Sequence, residues 1–359
     1  MSVGVIMAGG LGKRLWPESR VNCPKQFINL ENRESFLQAA YRRTSNIFGA
    51  ENVFLVIRED LKDAVVSQLP KVHLENIIAE PQGKDTAPCI GFASVWIKEK
   101  RGDESMVVLP ADHLIKNERR FAKIILAALE QAEKDFLVTI GIKPTRAETE
   151  YGYLQAGEKL EDLNGISLLK VERFTEKPSH KKAKEFFEQG NFLWNAGIFA
   201  WKPTIILNEM KIHLPGLYKG LMKIGKALGT DKEKEIIKEV YASFPKISID
   251  YGVMEKTSSV VAIAGDFFWD DIGNWKALER ILNRDEEGNI IRGLVEEMGS
   301  SDCILINREN KILGVIGLSH LIIVNTKNGV LVMGKERAHK VKDLVNRLLG
   351  DDKLKDYLG

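Results

Sequence analysis

The first 140 residues alternate short apolar runs with stretches of helical periodicity, and that alternation leaves few architectures open. Residues 3–8 are apolar and end in Gly9-Gly10, the pattern of a strand buried on both faces of a parallel sheet. Residues 53–57, 77–78, 106–109 and 136–142 repeat it. Between them lie helical segments. Ser35 can cap one that carries Phe36, Leu37, Ala40 and Tyr41 on one face. Others are predicted over residues 60–69, 85–98 and 120–134, with Pro88 tolerated in a first turn. Strands that alternate with helices imply right-handed crossovers and a parallel sheet covered on both faces.

Past residue 150 the pattern changes. Residues 151–158 and 166–174 read as a mixed β region, 179–189 as a charged helix and 197–201 as a strand. Successive helices follow over 203–243, then a strand at 260–264 and a helix at 275–282. Beyond Asn283 short β-branched runs at 302–307, 311–316, 321–325 and 330–333 are separated by turn chemistry, and a last helix is predicted over 336–349. The expected organisation is a catalytic domain at 1–283 and a β-rich tail at 284–359 that packs on it. The tail's spacing is too irregular to establish a repeat.

Composition narrows the function classes. The chain has 359 residues, with 52 Lys and Arg against 50 Asp and Glu, a formal charge of +2. That balance argues against a general polyanion or nucleic-acid binder. No apolar stretch approaches the ~18 residues of a membrane span, and no leader pattern precedes the first strand. Cys23, Cys89 and Cys303 are odd in number and far apart, so a disulfide framework and a cysteine zinc site are both unsupported. A cytoplasmic enzyme with reduced thiols is expected.

Four segments carry chemistry. After the first strand stand Gly9, Gly10 and Gly12, then Arg14 and Lys25. Glycines there let backbone amides approach a phosphate. A Walker A loop is excluded by Met7 and Arg14, and a dinucleotide fingerprint by Leu15. A tight surface turn is the alternative. Asp112 falls just past an apolar strand, where open α/β sheets place ligands and where a carboxylate suits Mg²⁺; a turn or capping Asp fits as well. His113 reads as structural. Asp270-Asp271 offers a second carboxylate, with one Asp free to cap the helix at Trp275. Lys177, before Pro178, can present a point charge to a phosphate, or is one exposed ion-pairing lysine among many. Nearby Tyr151, Tyr153, Gln155 and Asn195 suit sugar hydroxyls, whereas Trp194 and Phe199 read as core.

Taken in order, these motifs resemble a known family. Gly-Gly-x-Gly-x-Arg-Leu-x-Pro with Pro-Lys occupies 9–25, Glu-Pro-x-Gly with Thr-Ala-Pro 80–88, and Pro-Ala-Asp-His 110–113. Tyr-Gly-Tyr follows at 151–153, Phe-x-Glu-Lys-Pro at 174–178 and Trp-Asn-Ala-Gly-Ile-Phe at 194–199. Ser-Ile-Asp-Tyr-Gly-Val-Met-Glu stands at 248–255 and Trp-Asp-Asp-Ile-Gly at 269–273. The set resembles the mannose-1-phosphate guanylyltransferases of the sugar-phosphate nucleotidylyltransferase family over nearly the whole chain. Lys84-Asp85 departs from the Asn that many relatives carry.

The resemblance implies an α/β, Rossmann-like, mostly parallel sheet of the nucleotide-diphospho-sugar transferase type, with a β-helix-like tail often linked to dimerisation. It implies GTP and mannose 1-phosphate as substrates, GDP-mannose and pyrophosphate as products, and Mg²⁺ as cofactor. Gly9, Gly10 and Gly12 would wrap the triphosphate, Arg14 bind its departing end and Lys25 stabilise charge at the α-phosphate. Asp112 and Asp271 would share the metal. Lys177 would hold the sugar phosphate, and Gly152, Glu176 and Asn195 the sugar hydroxyls, with Asp250 a further member. Glu80 is the candidate to accept the two adjacent donors of guanine; the alternative is that it only shapes its loop. A second, phosphomannose isomerase activity carried by some relatives is expected to be absent. Neither a nucleic-acid nor a membrane partner is expected; a homodimer is. The rivals are another sugar 1-phosphate or a non-catalytic nucleotide-sugar sensor.

Overall fold

Strand β1 (Ser2–Met7) is wholly apolar apart from its first residue, and it pairs in parallel on both sides. Its neighbours are β2 (Val53–Arg58) and β4 (Ser105–Pro110), with β3 (Ile77–Glu80) outside β2. Chain order therefore reverses direction at β1, the arrangement that opens a crevice at the carboxyl ends of the strands. The computed structural model describes residues 2–10, 12–30, 34–354 and 358. The chain forms two compact units, Met1–Gly9 with Gln38–Trp269, and Gly10–Leu37 with Asp270–Gly359. The divisions thus follow Gly9, Leu37 and Trp269, where the sequence pattern suggests one near Asn283.

The first unit is built on a nine-stranded sheet of order β3-β2-β1-β4-β9-β6-β10-β8-β7. Besides the strands above it contains a short β5 (Leu114–Ile115), then β6 (Leu137–Ile142), β7 (Tyr153–Asp162), β8 (Ser167–Thr175), β9 (Phe192–Trp201) and β10 (Val260–Gly265). β9 inserts antiparallel between β4 and β6, so the parallel run expected from the first 140 residues is interrupted once. It is longer than the strand expected at 197–201 because Trp194, Ala196, Ile198 and Ala200 are all buried. β10 returns to parallel pairing with β6.

The helices follow the predicted order: α1 (Phe36–Phe48), α2 (Lys62–Gln68), α3 (Thr86–Arg101), α4 (Glu118–Ala132), α5 (His180–Gln189), α6 (Pro203–His213), α7 (Pro215–Ala227) and α8 (Glu233–Ser243). Asp85 caps α3, its carboxylate accepting from Thr86 N, and Ser179 caps α5. One core runs from Val3, Val5, Val56, Met106 and Val108 of the sheet to Ile90 and Phe92 of α3 and Ile237 and Tyr241 of α8. Among the described residues no helix is long and apolar enough to cross a membrane.

The second unit joins the segment after β1 to the carboxyl-terminal quarter. After β11 (Trp269–Asp270) come β12 (Ile290–Arg292), β13 (Val295–Met298), β14 (Ile304–Asn307), β15 (Leu313–Ile316), β16 (Leu321–Thr326) and β17 (Gly329–Gly334), then α9 (Val341–Leu349). β12, β14 and β16 stack in parallel, as do β13 and β15. Ile304 pairs with Ile322 and Val295 with Leu313, each 18 residues on, so the coil of a β-helix does repeat. The turn at Asn307 is sealed by side-chain amides: Asn307 donates to the carbonyls of Leu294 (2.7 Å) and Lys311 (2.6 Å), and Asn325 donates to Asn307 (2.9 Å).

Residues 10–37 are tied into this unit. The indole of Trp275 donates to the Trp16 carbonyl at 2.9 Å, Lys13 to Asn346 at 3.2 Å, and Arg308 to Glu18 and to the Asn29 carbonyl. Burial pushes the Glu18 carboxyl above its usual range, and Arg308 pulls against that shift. Arg308→Ala leaves a buried carboxylate without its guanidinium and is expected to cost about 3–5 kcal/mol. Thermal unfolding checks this, and Glu18→Gln in the same background should recover much of the loss.

Candidate active site

At the carboxyl end of β1 the chain turns away through Ala8 and Gly9, and Ala111 N donates to the Met7 carbonyl at 2.9 Å. The exits of β1 and β4 are thereby held side by side, with Gly9 on one and Asp112 on the other. His113 is structural in character: it accepts the Trp269 indole N–H at Nδ1 (3.1 Å) and meets that ring edge-on.

Glu80 ends β3 and is only 3% exposed. Its Oε1 accepts the Tyr241 hydroxyl at 2.5 Å. An ideal Cβ on Gly9 would lie 3.1 Å from its Oε2, so the carboxylate faces the exit of β1. Burial is the main influence on its acidity and pushes the pKa up to about 7, against the opposing bonds from Tyr241 and Cys89.

The residues read as sugar-binding come together in the same unit. Asn195 N donates to the Gly152 carbonyl at 2.8 Å. A Cβ at Gly152 would stand 2.6 Å from Glu176 Oε2 and 3.3 Å from Asn195 Cβ, so no larger residue fits there without displacing them. Lys177 takes the left-handed backbone (φ 43°), a strained conformation for a residue with a side chain, and its ammonium donates to Glu176 Oε1 at 2.5 Å. Burial disfavours the Lys177 charge, but the Glu176 and Asp250 carboxylates more than offset this and raise its pKa.

The Asn195 amide is largely engaged. Its Oδ1 accepts from Thr139 Oγ1 (2.8 Å) and Gly197 N (3.1 Å), and its Nδ2 donates to Asp250 Oδ1 (3.0 Å). Asp250, in a π-helical turn, is held above the usual carboxylate range by burial and by Glu176. Thr139 carried no sequence signal beyond being a polar residue inside an apolar strand.

The second unit collects another group. Lys25 is 5% exposed; its ammonium donates to the Asp271 carbonyl and lies 5.6 Å from the centre of the Phe36 ring. A Cβ on Gly273 would lie 3.2 Å from Asp271 Oδ2 and 3.4 Å from Arg14 Nη1, so Arg14, Lys25 and Asp271 converge. The adjacent carboxylates divide their work. Asp270 is 3% exposed and accepts from Arg280 through both oxygens and from Ile272 N, whereas Asp271 Oδ1 accepts from Gly273 N at 3.1 Å. Neither caps the segment Trp275–Arg280, which is a 3₁₀ turn with Asn274 before it. Gly10 is exposed with open space at its Cβ position. Gly12 has φ 56°, and a Cβ there would fall 2.2 Å from Lys25 Cβ. Among the described residues no group of three or more His, Cys, Asp or Glu side chains converges as a metal cage.

Two outcomes are expected. Gly12→Ala meets both an unfavourable backbone region (φ 56°) and the Lys25 side chain, and is expected to cost about 1–3 kcal/mol, which thermal unfolding checks. The Glu80 pKa is raised from 4.5 to about 7, so the folded state binds that proton more tightly than the unfolded chain. Stability is therefore lost as pH rises from 4.5 towards 7 and stays lower above it. Glu80→Gln removes this loss, and its stability relative to the parent should grow by roughly 3 kcal/mol between acid and mildly alkaline pH. Denaturant unfolding at a series of pH values checks it; a constant gap would contradict it.

The nucleotidyl transferase family model matches residues 3–288, and a MannoseP isomerase/GMP-like beta-helix domain matches 295–348. The mannose-1-phosphate guanylyltransferase of Klebsiella pneumoniae is 37% identical over 97% of this chain and 74% of its own length. The Xanthan biosynthesis protein XanB of Xanthomonas campestris is 34% identical over 96% of this chain and 72% of its own. The crystal structure of a protein named mannose-1-phosphate geranyltransferase, from Thermus thermophilus, superposes with a TM-score of 0.85 at 35% identity, covering 97% of this chain and 99% of that one. On these likenesses the chain is an enzyme of the nucleotidyl transferase family and belongs to its mannose-1-phosphate guanylyltransferase branch.

Proposed function

We propose that the protein transfers GMP from GTP to α-D-mannose 1-phosphate, giving GDP-mannose and pyrophosphate. The observation that carries the sugar-phosphate half is the cluster of Gly152, Glu176, Lys177, Asn195 and Asp250: one cation among hydroxyl-binding groups, beside a glycine that admits a ligand closely. The names of the relatives support the choice of mannose and guanine.

In this reading an oxygen of the sugar phosphate attacks the α-phosphorus in line. The new P–O bond forms as the bond from that phosphorus to the β-phosphate oxygen breaks, and pyrophosphate leaves with the electron pair. The attacking oxygen is already anionic, so no general base is required, and the site correspondingly offers cations and carboxylates. Catalysis rests on positioning and on neutralising charge. Lys177 orients the incoming phosphate. Gly9, Gly10 and Gly12 give backbone access to the triphosphate, Arg14 binds its departing end and Lys25 the charge around the α-phosphate. Asp112 and Asp271 would hold Mg²⁺, which needs only one or two carboxylates beside phosphate oxygens and water. Such a cation would supply further neutralisation of the triphosphate. Glu80 accepts the N1–H and N2–H donors of guanine. Exposed Met298, Ile312, Ile316, Val330 and Val332 of the tail support pairing with a second copy, and the three free cysteines suit the cytoplasm.

Pyrophosphate release measured over a panel of nucleoside triphosphates and sugar 1-phosphates with Mg²⁺ tests the assignment. GTP with mannose 1-phosphate should be the best pair; a better pair would replace it, and no turnover with any pair would favour a sensor. Glu80→Gln should weaken GTP use and relax selection against other bases, and an unchanged nucleotide preference would remove Glu80 from base reading.

A further inference from the structure

One buried residue beside Glu80 takes no direct part in the proposed transfer. Tyr241 lies on α8, is fully buried, and is met edge-on by Phe92 at 5.6 Å and in a tilted contact by Phe244 at 5.0 Å. A phenylalanine would make the same ring contacts. The hydroxyl is what distinguishes the residue, and it is spent on Glu80 Oε1 at 2.5 Å. The other oxygen, Oε2, faces the exit of β1 at Gly9.

We propose that Tyr241 is a positioning residue for base selection, whose hydroxyl fixes the plane of the Glu80 carboxylate and holds it ionised for the two donors of the guanine edge. The inference rests on the reading of Glu80 as the base-reading group. A neutral carboxyl would turn an O–H towards guanine N1–H and lose the bidentate pair, so the charge on Glu80 decides whether guanine is recognised. The groups facing Glu80 come from four places: Tyr241 on α8, Cys89 on α3, Arg58 on β2, and Asp85 just before α3. Burial works against the charge most strongly, with a smaller push from Asp85; Tyr241, Cys89 and Arg58 support it. The Tyr241 hydroxyl is itself pushed well above its usual range, by burial and by Glu80, and so remains a donor throughout the working range. A short O–H to carboxylate bond of this kind is among the stronger hydrogen bonds available to a buried acid.

The test is kcat/KM for GTP between about pH 5.5 and 9, with mannose 1-phosphate saturating, because this quantity reports groups of the free enzyme. Tyr241→Phe should move the acid-side midpoint upward by about one pH unit, roughly tenfold in kcat/KM below the midpoint. Discrimination between GTP and ITP, which lacks the N2 amino group, should shrink, and KM for mannose 1-phosphate should hold. A midpoint equal to that of the parent overturns the proposal. If Tyr241→Phe does not fold, 3-fluorotyrosine at position 241 keeps the ring and strengthens the donor; the midpoint should then fall, and no movement overturns the proposal equally. Glu80→Gln separates the two ideas. Should it retain both the acid limb and the discrimination against ITP, the base-reading role fails and this inference with it. Should it lose both while Tyr241→Phe keeps the parent midpoint, only the role of Tyr241 fails.

Discussion

The parallel seating of β1 between β2 and β4 is the constraint on which the rest of the first unit depends. The chain places β2 and β3 on one side of β1 and then crosses to put β4 on the other, and this reversal leaves the exit of β1 uncovered by either connection. Gly9, Asp112 and Glu80 reach that exit from three different strands, each from the residues at or just past its carboxyl end. Sheet topology, rather than proximity in sequence, gathers them.

A second theme is how the protein treats carboxylates that it buries. Burying an unpaired carboxylate costs more than a fold can bear, so each is paired or pushed towards neutrality. Asp270 is fully paired by Arg280, which makes it a fixed strut. Glu18 has Arg308, and Glu176 has Lys177. Glu80 has a phenol, a thiol and the Arg58 charge to support its ionised form against burial, and its pKa is raised to about 7. The degree of pairing thus sorts these acids into struts and responsive groups, and the responsive ones lie among the proposed substrate contacts.

Much of this was legible in the sequence. Apolar β-branched runs gave β1 and the strands around it, and the helices expected from 85 and 179 begin at Thr86 and His180. Gly152, Glu176, Lys177 and Asn195 were named from motifs and are adjacent in space. Other features were hidden for physical reasons. The antiparallel insertion of β9 depends on long-range pairing that local periodicity does not encode. The division between Asp270 and Asp271 depends on Arg280, whose side chain reaches back ten residues. Tyr241 gives no signal in the sequence because Ile237, Val240 and Tyr241, with Phe244 just beyond, read as an ordinary apolar helix face. The clue was a hydroxyl at a position where Phe would pack equally well. The coil of the tail was obscured because its repeat is a register of backbone pairs rather than a repeated word.

The joining of residues 10–37 to the carboxyl-terminal unit has a consequence for how the protein comes into being. A ribosome delivers the segment after β1 early, yet its partners Trp275, Arg308 and Asn346 are among the last quarter to be made. Domains generally assemble from the amino terminus as synthesis proceeds. Here the sheet of the first unit can close around β1 while Gly12, Arg14 and Lys25 still await the residues that fix them. The ordering of that loop is therefore a late event in the life of each chain, and a message truncated in its final quarter would yield a formed sheet followed by an unanchored loop.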